Sequence, residues 1–303
     1  MKQKVISFLL FLTLMLALVG CNSNSSNDSS DATSNIIVIA SKNFTEQDIL
    51  GELLAQRIEA ETGLKVDLRP QLGGSFVCHQ ALLAGKIDGY IEYTGTAYNA
   101  ILQKEVIPDT QEVYQSLKKL YSEDFQLEVM EPLGFENTFA VIIRKEDAKR
   151  YKINTISDLA RYTSKWRSGF GYEFMERQDG FPGLSKTYGL DFQEIPKIME
   201  LGLLYRALVK NQVDVIVANS TDGQIARLDL VVLQDNKNYF PPYEATPIFR
   251  RETLNKYPQL QEVVSQMAGK ISADEMRQLN YLVEGEFRKV RDVVSEFRQT
   301  KGL

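Results

Sequence analysis

At residues 81–97 the chain reads ALLAGKIDGYIEYTGTA, and at residues 207–223 it reads ALVKNQVDVIVANSTDG. Each stretch reads as a helix end, a short loop, a hydrophobic strand entered through an aspartate (Asp88, Asp214), and a small polar turn that opens another helix. Two such units in one chain imply two similar α/β lobes. Open α/β sheets hold ligands in the crevice beyond the carboxyl ends of their strands. Tyr93 and Asn219, the paired positions just past the two strands, are therefore expected to wall a cleft from opposite sides.

Outward from the first copy, residues 35–40 (NIIVIA) read as a buried strand and residues 41–47 as a turn. Residues 48–62 carry Ile49, Leu53, Leu54 and Ile58 on one helical face, and Gly63 stops the helix. Residues 65–70 give a second strand, Gly73-Gly74-Ser75 a turn, and residues 76–84 a helix ended by Gly85. Strands alternating with helices imply a mostly parallel sheet. Residues 133–143 (LGFENTFAVII) begin as a polar turn and become an apolar strand, the expected crossing into the second lobe. A return crossing is expected near residues 238–243, and the helices of residues 254–301 then complete the first lobe. The expected organisation is 36–134 plus 243–303 for lobe 1 and 135–242 for lobe 2, joined by two crossover hinge segments. A chain of 303 residues, 44% hydrophobic and 25% charged, suits two compact domains with ordinary cores.

The N-terminus points outside the cytoplasm. Lys2 and Lys4 precede an apolar run over residues 5–19, too short to span a bilayer comfortably. The run ends at Leu18-Val19-Gly20-Cys21 and gives way to NSNSSNDSSDATSN. This resembles a bacterial lipoprotein signal: residues 1–20 would be removed, Cys21 would carry lipid, and residues 21–35 would form a flexible tether. A plain secretory signal with an incidental cysteine is the alternative. Removal of residues 1–20 takes Lys2 and Lys4 and no acid from 35 basic and 40 acidic residues, leaving a net charge of −7. With no basic stripe, nucleic acid is not an expected partner. Cys78 would then have no intrachain partner and is expected to be a buried thiol acting as a small hydrophobe.

Catalytic constellations are hard to find. His79 is the only histidine, so a histidine metal cluster or a Ser-His-Asp triad would hang on that one residue. Its setting, SFVCHQALLAG, reads as a helix, where a surface or half-buried structural role is expected. Gly73-Gly74-Ser75 lacks the further glycines and the lysine of a phosphate loop. The chain is expected to bind rather than catalyse, without metal or cofactor.

Eight landmarks run in order through residues 41–243: SKNFTEQ, LGGS, GKID, EYTGT, NTFA, EF with Arg177 and the following DG, STDG, and FPPY. With them the chain resembles the extracytoplasmic substrate-binding proteins of ABC transporters for glycine betaine, choline, carnitine and related osmoprotectants. The resemblance implies a two-lobe periplasmic-binding-protein fold (class II type). It also implies hinge closure on a small amine, and delivery to a membrane permease driven by a separate ATPase. A trimethylammonium head offers no hydrogen-bond donor and is held by aromatic faces, worth about 0.5–2 kcal/mol per contact. The family cage is built from tyrosines of both lobes, which by motif places Tyr93 and Tyr243 around the head group. Phe139 stands where the family often has a tyrosine, and Asn219 where it has a cage tyrosine. Tyr90, Phe44, Tyr98 and Tyr172 are the aromatics that would replace that missing wall, though each is expected in the core or on the surface.

For a ligand carboxylate the resemblance implies Lys42, Thr96 and Arg177; an arginine fork meets a carboxylate with two parallel bonds. The alternatives are a salt bridge from Arg177 to Glu173 or Asp179, and a solvated turn for Lys42. Two other functions fit the same architecture: a binding protein for an amino acid or other small amine, and a lipoprotein that senses its ligand and signals to a partner.

Overall fold

The computed structural model describes residues 36–303; the expected signal segment, the expected tether and Cys21 lie outside the described residues. Two five-stranded sheets organise the chain. The first contains β1 (Ile36–Lys42), β2 (Lys65–Gly73), β3 (Gly89–Tyr93), β4 (Leu127–Val129) and β10 (Ala245–Arg250). The second contains β5 (Phe139–Arg144), β6 (Ser168–Phe170), β7 (Lys197–Ile198), β8 (Val215–Asn219) and β9 (Leu230–Val232).

Their orders, β2-β1-β3-β10-β4 and β7-β6-β8-β5-β9, are the same path walked twice. In each, the central strand (β3 or β8) is parallel to one neighbour and antiparallel to the other. The two aspartates of the sequence echo make the same clamp. Asp88 N donates to Val38 O at 2.7 Å while Val38 N donates to Asp88 Oδ2 at 2.8 Å. Asp214 N donates to Arg167 O at 2.7 Å while Arg167 N donates to Asp214 Oδ2 at 3.0 Å. An aspartate at the mouth of the central strand thus locks the register of the parallel strand beside it in both lobes.

One expectation is corrected. Each sheet is evenly mixed, with two parallel and two antiparallel pairings, rather than mostly parallel. β5 and β10 are the strands by which the chain enters the second sheet and re-enters the first, and both run against the central strand. The strands around residues 35–40 and 65–70 also run longer than read, to Lys42 and Gly73, and the following helix begins at Thr45.

Both faces of each sheet's middle strands are covered, so those strands are apolar on both sides. Ile37, Ile39 and Ile91 point into one cluster with the Thr45–Thr62 helix and the C-terminal helices, while Ala40, Tyr90 and Ile248 point into another. In the second sheet Val141, Ile143, Val215 and Val217 face one cluster and Ala140, Ile142, Ile216 and Ala218 the other. This period-two division fixes register, because a one-residue slip would exchange every pair.

The chain passes between the sheets after Val129 and again after Val232, and the two crossing segments run side by side. Asn137 N donates to Tyr243 O at 3.0 Å, and Ala245 N to Phe135 O at 3.1 Å. No helix among the described residues is long and apolar enough to cross a membrane.

Candidate functional site

A cavity of about 220 Å³ lies between the two sheets, and strand ends build it. That is small beside the pockets of drug-sized ligands, about 300–1,000 Å³. From the first lobe come Lys42 at the end of β1, Phe44, the Gly74-Ser75 turn, Tyr93 at the end of β3, Thr96, and Tyr243 just before β10. The second lobe supplies Phe139 at the start of β5, the segment around Tyr172, Glu173 and Arg177, and Asn219 at the end of β8. Tyr93, Tyr243, Phe139, Lys42, Thr96, Arg177 and Asn219 therefore all meet in one place. Asn137, from the first crossing segment, also reaches it.

The aromatic wall has two parts, one of which crosses between the lobes. Phe139 meets Tyr243 edge-on at 5.8 Å and Phe174 at 4.9 Å between centroids, and Phe44 stacks on Tyr93 at 6.5 Å and 22°. Tyr93 and Tyr243 owe their orientation to their hydroxyls as well. Tyr93 Oη donates to Glu46 Oε1 at 2.5 Å and Tyr243 Oη to Asp179 Oδ2 at 2.8 Å, so each ring is tethered behind the cavity by a buried carboxylate. Burial and the adjacent carboxylate push both phenols well above the usual tyrosine range.

Neither basic side chain is free. Lys42 is 3% exposed, forms an ion pair with Glu92, donates to Ser75 Oγ at 3.2 Å, and sits 4.2 Å from the Tyr93 centroid. It is not a solvated turn lysine. Arg177 grips Asp179 with two bonds, Nε to Oδ1 at 2.8 Å and Nη2 to Oδ2 at 2.5 Å, and its Nη1 crosses the cleft to Thr96 Oγ1 at 3.2 Å. Burial alone would lower the guanidinium's proton affinity, and the Asp179 bonds and charge reverse that, raising it above the ordinary arginine value. The guanidinium lies 5.0 Å from the Phe139 centroid and 5.9 Å from that of Tyr243. The salt-bridge alternative for Arg177 is thus what the structure contains, with Asp179 as partner.

Behind Tyr93 lies a hub that spacing did not suggest. Glu46, fully buried, accepts from Tyr93, from Asn137 at 2.9 Å, from Thr221 at 2.5 Å and from Asn280 at 3.0 Å. Burial raises its carboxyl, against the lowering effect of those four donors. Thr221 belongs to the turn after β8, so the hub joins the lobes.

Two of the residues expected in the core or on the surface line the cavity: Phe44, and Tyr172, which is 56% exposed. Tyr90 and Tyr98 are in the core as read. Glu92, Glu173 and Asn137 were missed as site residues. Glu92 could have been flagged as an acid inside the otherwise apolar strand GYIEY, since a buried charge needs a partner. His79 is more deeply buried than read, 3% exposed and packed against Tyr121 and Phe125, while Cys78 is a fully buried free thiol.

Comparison with known proteins carries this architecture to a family. Residues 35–300 match the family described as the substrate binding domain of ABC-type glycine betaine transport system. The carnitine transport binding protein OpuCC of Listeria monocytogenes is 37% identical over 303 residues, 99% of this chain and 97% of that protein. The ergothioneine transport permease/ergothioneine binding protein EgtU of Helicobacter pylori is 36% identical over 271 residues, 88% of this chain and 48% of that longer protein. A crystal structure of a glycine betaine/carnitine/choline ABC transporter is 34% identical, with a TM-score of 0.72 over 87% of this chain and 98% of that one. The family model covers nearly all of the described residues and the relatives span both lobes, so this chain belongs to the family of substrate-binding domains of ABC-type glycine betaine transport systems.

Proposed function

We propose that the protein is an extracytoplasmic solute-binding protein that captures a quaternary-ammonium osmoprotectant (glycine betaine, choline, carnitine or a similar amine) and delivers it to an ABC permease with a separate ATPase. In this reading residues 36–134 with 243–303, and residues 135–242, are the lobes that close on the ligand. The observation that carries it is the cavity between the sheets, lined by Tyr93 and Tyr243 from one side and Phe139 from the other. Aromatic faces attract a cation that cannot donate hydrogen bonds, and exclusion of water strengthens that attraction. Thr96 and Asn219 supply polar contacts at the margins, and Lys42 and Arg177 set the electrostatics of the wall. Cys21 carries the lipid that tethers the protein to the membrane.

Calorimetric titration of the purified protein with glycine betaine, choline, carnitine, proline betaine, ergothioneine and unmethylated glycine tests the reading. Binding of one or more methylated amines, with glycine much weaker, is the expected result. A preference for glycine, or for another unmethylated amine, would replace it with an amino-acid-binding function. Replacing Cys21 with Ala is expected to release the protein from the membrane fraction.

A further inference from the structure

Beside the cavity lies a second groove between the lobes, and Asn43, Phe44, Leu201 and Asn219 line both. The groove's lining includes three acids, Glu46, Asp222 and Glu284, and no lysine, arginine or histidine. Glu46 is matched by its four donors. Asp222 stands in the second lobe's turn after β8, and Glu284 ends the Ala273–Glu284 helix of the first lobe. Their carboxyl groups lie within hydrogen-bonding reach of each other, and Glu284 Oε2 is buried with no protein donor.

Two ionised carboxylates are both acceptors, so they repel; one proton between them turns the pair into a hydrogen bond. The charged groups on the surrounding elements are engaged elsewhere. Arg227, at the end of the Gly223–Arg227 helix, donates to Gln224 and covers Phe287, while Arg277 of the Ala273–Glu284 helix donates to Asp274. Asp229 is paired with Lys145, and Arg206 and Glu286 are exposed. Tyr281 brings a phenol to the opposite side of Asp222. Gln224 N donates to Asp222 Oδ1 at 3.2 Å, and the Tyr205 hydroxyl, from the Leu201–Val209 helix, also favours ionised Asp222. Loss of hydration and the neighbouring Glu284 outweigh both and hold the Asp222 carboxyl well above the usual carboxylate range.

We propose that Asp222 and Glu284 share one proton across the lobe interface, so that closure on ligand takes up a proton and binding weakens as pH rises. This rests on the proposed function, whose hinge closure brings the two residues together. With the lobes apart both carboxyls meet water, and Asp222 returns towards its ordinary 3.8. The closed form holds the proton more tightly than the open one. Its advantage is complete below about pH 3.8, falls by up to about tenfold per pH unit above that, and is gone once pH passes the raised closed-form value.

The test is calorimetry on the purified protein with choline, glycine betaine and carnitine, none of which changes its charge between about pH 5.5 and about pH 7.5. Titrations at one pH in buffers of different ionisation enthalpy read the protons taken up per ligand bound. The native protein is expected to take up a large part of one proton and to bind at least about tenfold more tightly at the acid end of that range. Asp222→Asn keeps the helix cap and lets its amide donate to Glu284 without a proton; Glu284→Gln supplies the donor from the other side. Each variant is expected to lose most of the proton uptake and to bind more tightly than the native protein at the alkaline end. Glu46 is unchanged in both, so the difference from native belongs to the pair, and a thermal melt reports folding. If the native protein binds without proton uptake, or if the uptake survives in both variants, the inference fails while the proposed function stands. Affinity that follows sodium or potassium at fixed pH and ionic strength, without proton uptake, would assign the groove to a metal cation and overturn it too. Should the native protein bind no quaternary amine at all, both fall together.

Discussion

Thr221 of the second lobe donates its hydroxyl to the Glu46 carboxylate of the first lobe at 2.5 Å, and Asn280 bonds both of them, to Glu46 Oε2 at 3.0 Å and to Thr221 O at 2.8 Å. The turn that follows β8 is thereby fastened to the start of one first-lobe helix and the middle of another. The same carboxylate orients Tyr93, so the contact that joins the lobes also sets one wall of the cavity.

Glu46→Ala strands four donors and should destabilise the fold by about 3 kcal/mol or more, read by chemical denaturation. Glu46→Gln keeps an acceptor and should cost less. The pH dependence has a definite sign. Burial raises the Glu46 carboxyl above its ordinary 4.5 in the folded protein, so the folded state holds that proton more tightly than the unfolded chain. Its stabilising effect is complete below about pH 4.5 and is lost as pH rises through the raised value. The native protein should therefore lose stability relative to Glu46→Gln as pH climbs above 4.5.

Asp214 works in the opposite direction. Burial raises it, yet the bonds from Arg167 and Arg144 hold it down at about 2, against an ordinary 3.8. It contributes about 2 kcal/mol above pH 4 that is lost as pH falls from 3.8 towards 2. Stability curves of native protein and Asp214→Asn should converge across that window.

Gly223 packs on the backbone of the Ala273–Glu284 helix, where a Cβ would stand 2.6 Å from Tyr281 N and 2.7 Å from its Cα. Neither backbone can yield as a side chain could. Gly223→Ala should therefore hold the lobes apart and weaken ligand binding about tenfold, although the residue does not line the cavity. Small-angle scattering with saturating ligand should report a larger radius of gyration than for the native protein.

Removing a ring should matter more than removing its hydroxyl. Tyr93→Ala and Tyr243→Ala should each weaken the best ligand by roughly 1–2 kcal/mol or more, about five- to thirtyfold, in calorimetry. Tyr243→Phe keeps the face, leaves Asp179 with its two arginine bonds, and should bind within a few-fold of native.

Much of the fold was legible because it is written twice. The Asp88 and Asp214 stretches announce two equivalent central strands, and their clamps on Val38 and Arg167 are alike to the atom. The mixed character of the sheets was hidden because β5 and β10 follow crossing segments, where alternation of strand and helix says nothing about direction. In the site, ring positions could be carried over from sequence motifs. The partners of the charges were only partly legible: Asp179 was one of two named candidates for Arg177, whereas Glu92 stands out as an acid in the strand GYIEY but nothing in the sequence pairs it with Lys42 until β1 brings the two together. Phe44 and Tyr172 were misplaced because single aromatics carry no period that reveals which way they point.

The central claim is that methylation of an ammonium group is what this cavity reads. Ethanolamine, N-methylethanolamine, N,N-dimethylethanolamine and choline carry the same positive charge near neutral pH and differ only in methyl groups. Their affinities, measured by calorimetry for native protein and Tyr93→Ala, test it directly. The account predicts affinity rising with each methyl group to a maximum at choline, with the rise largely lost in the variant. Affinity that is flat or falls towards choline would contradict it.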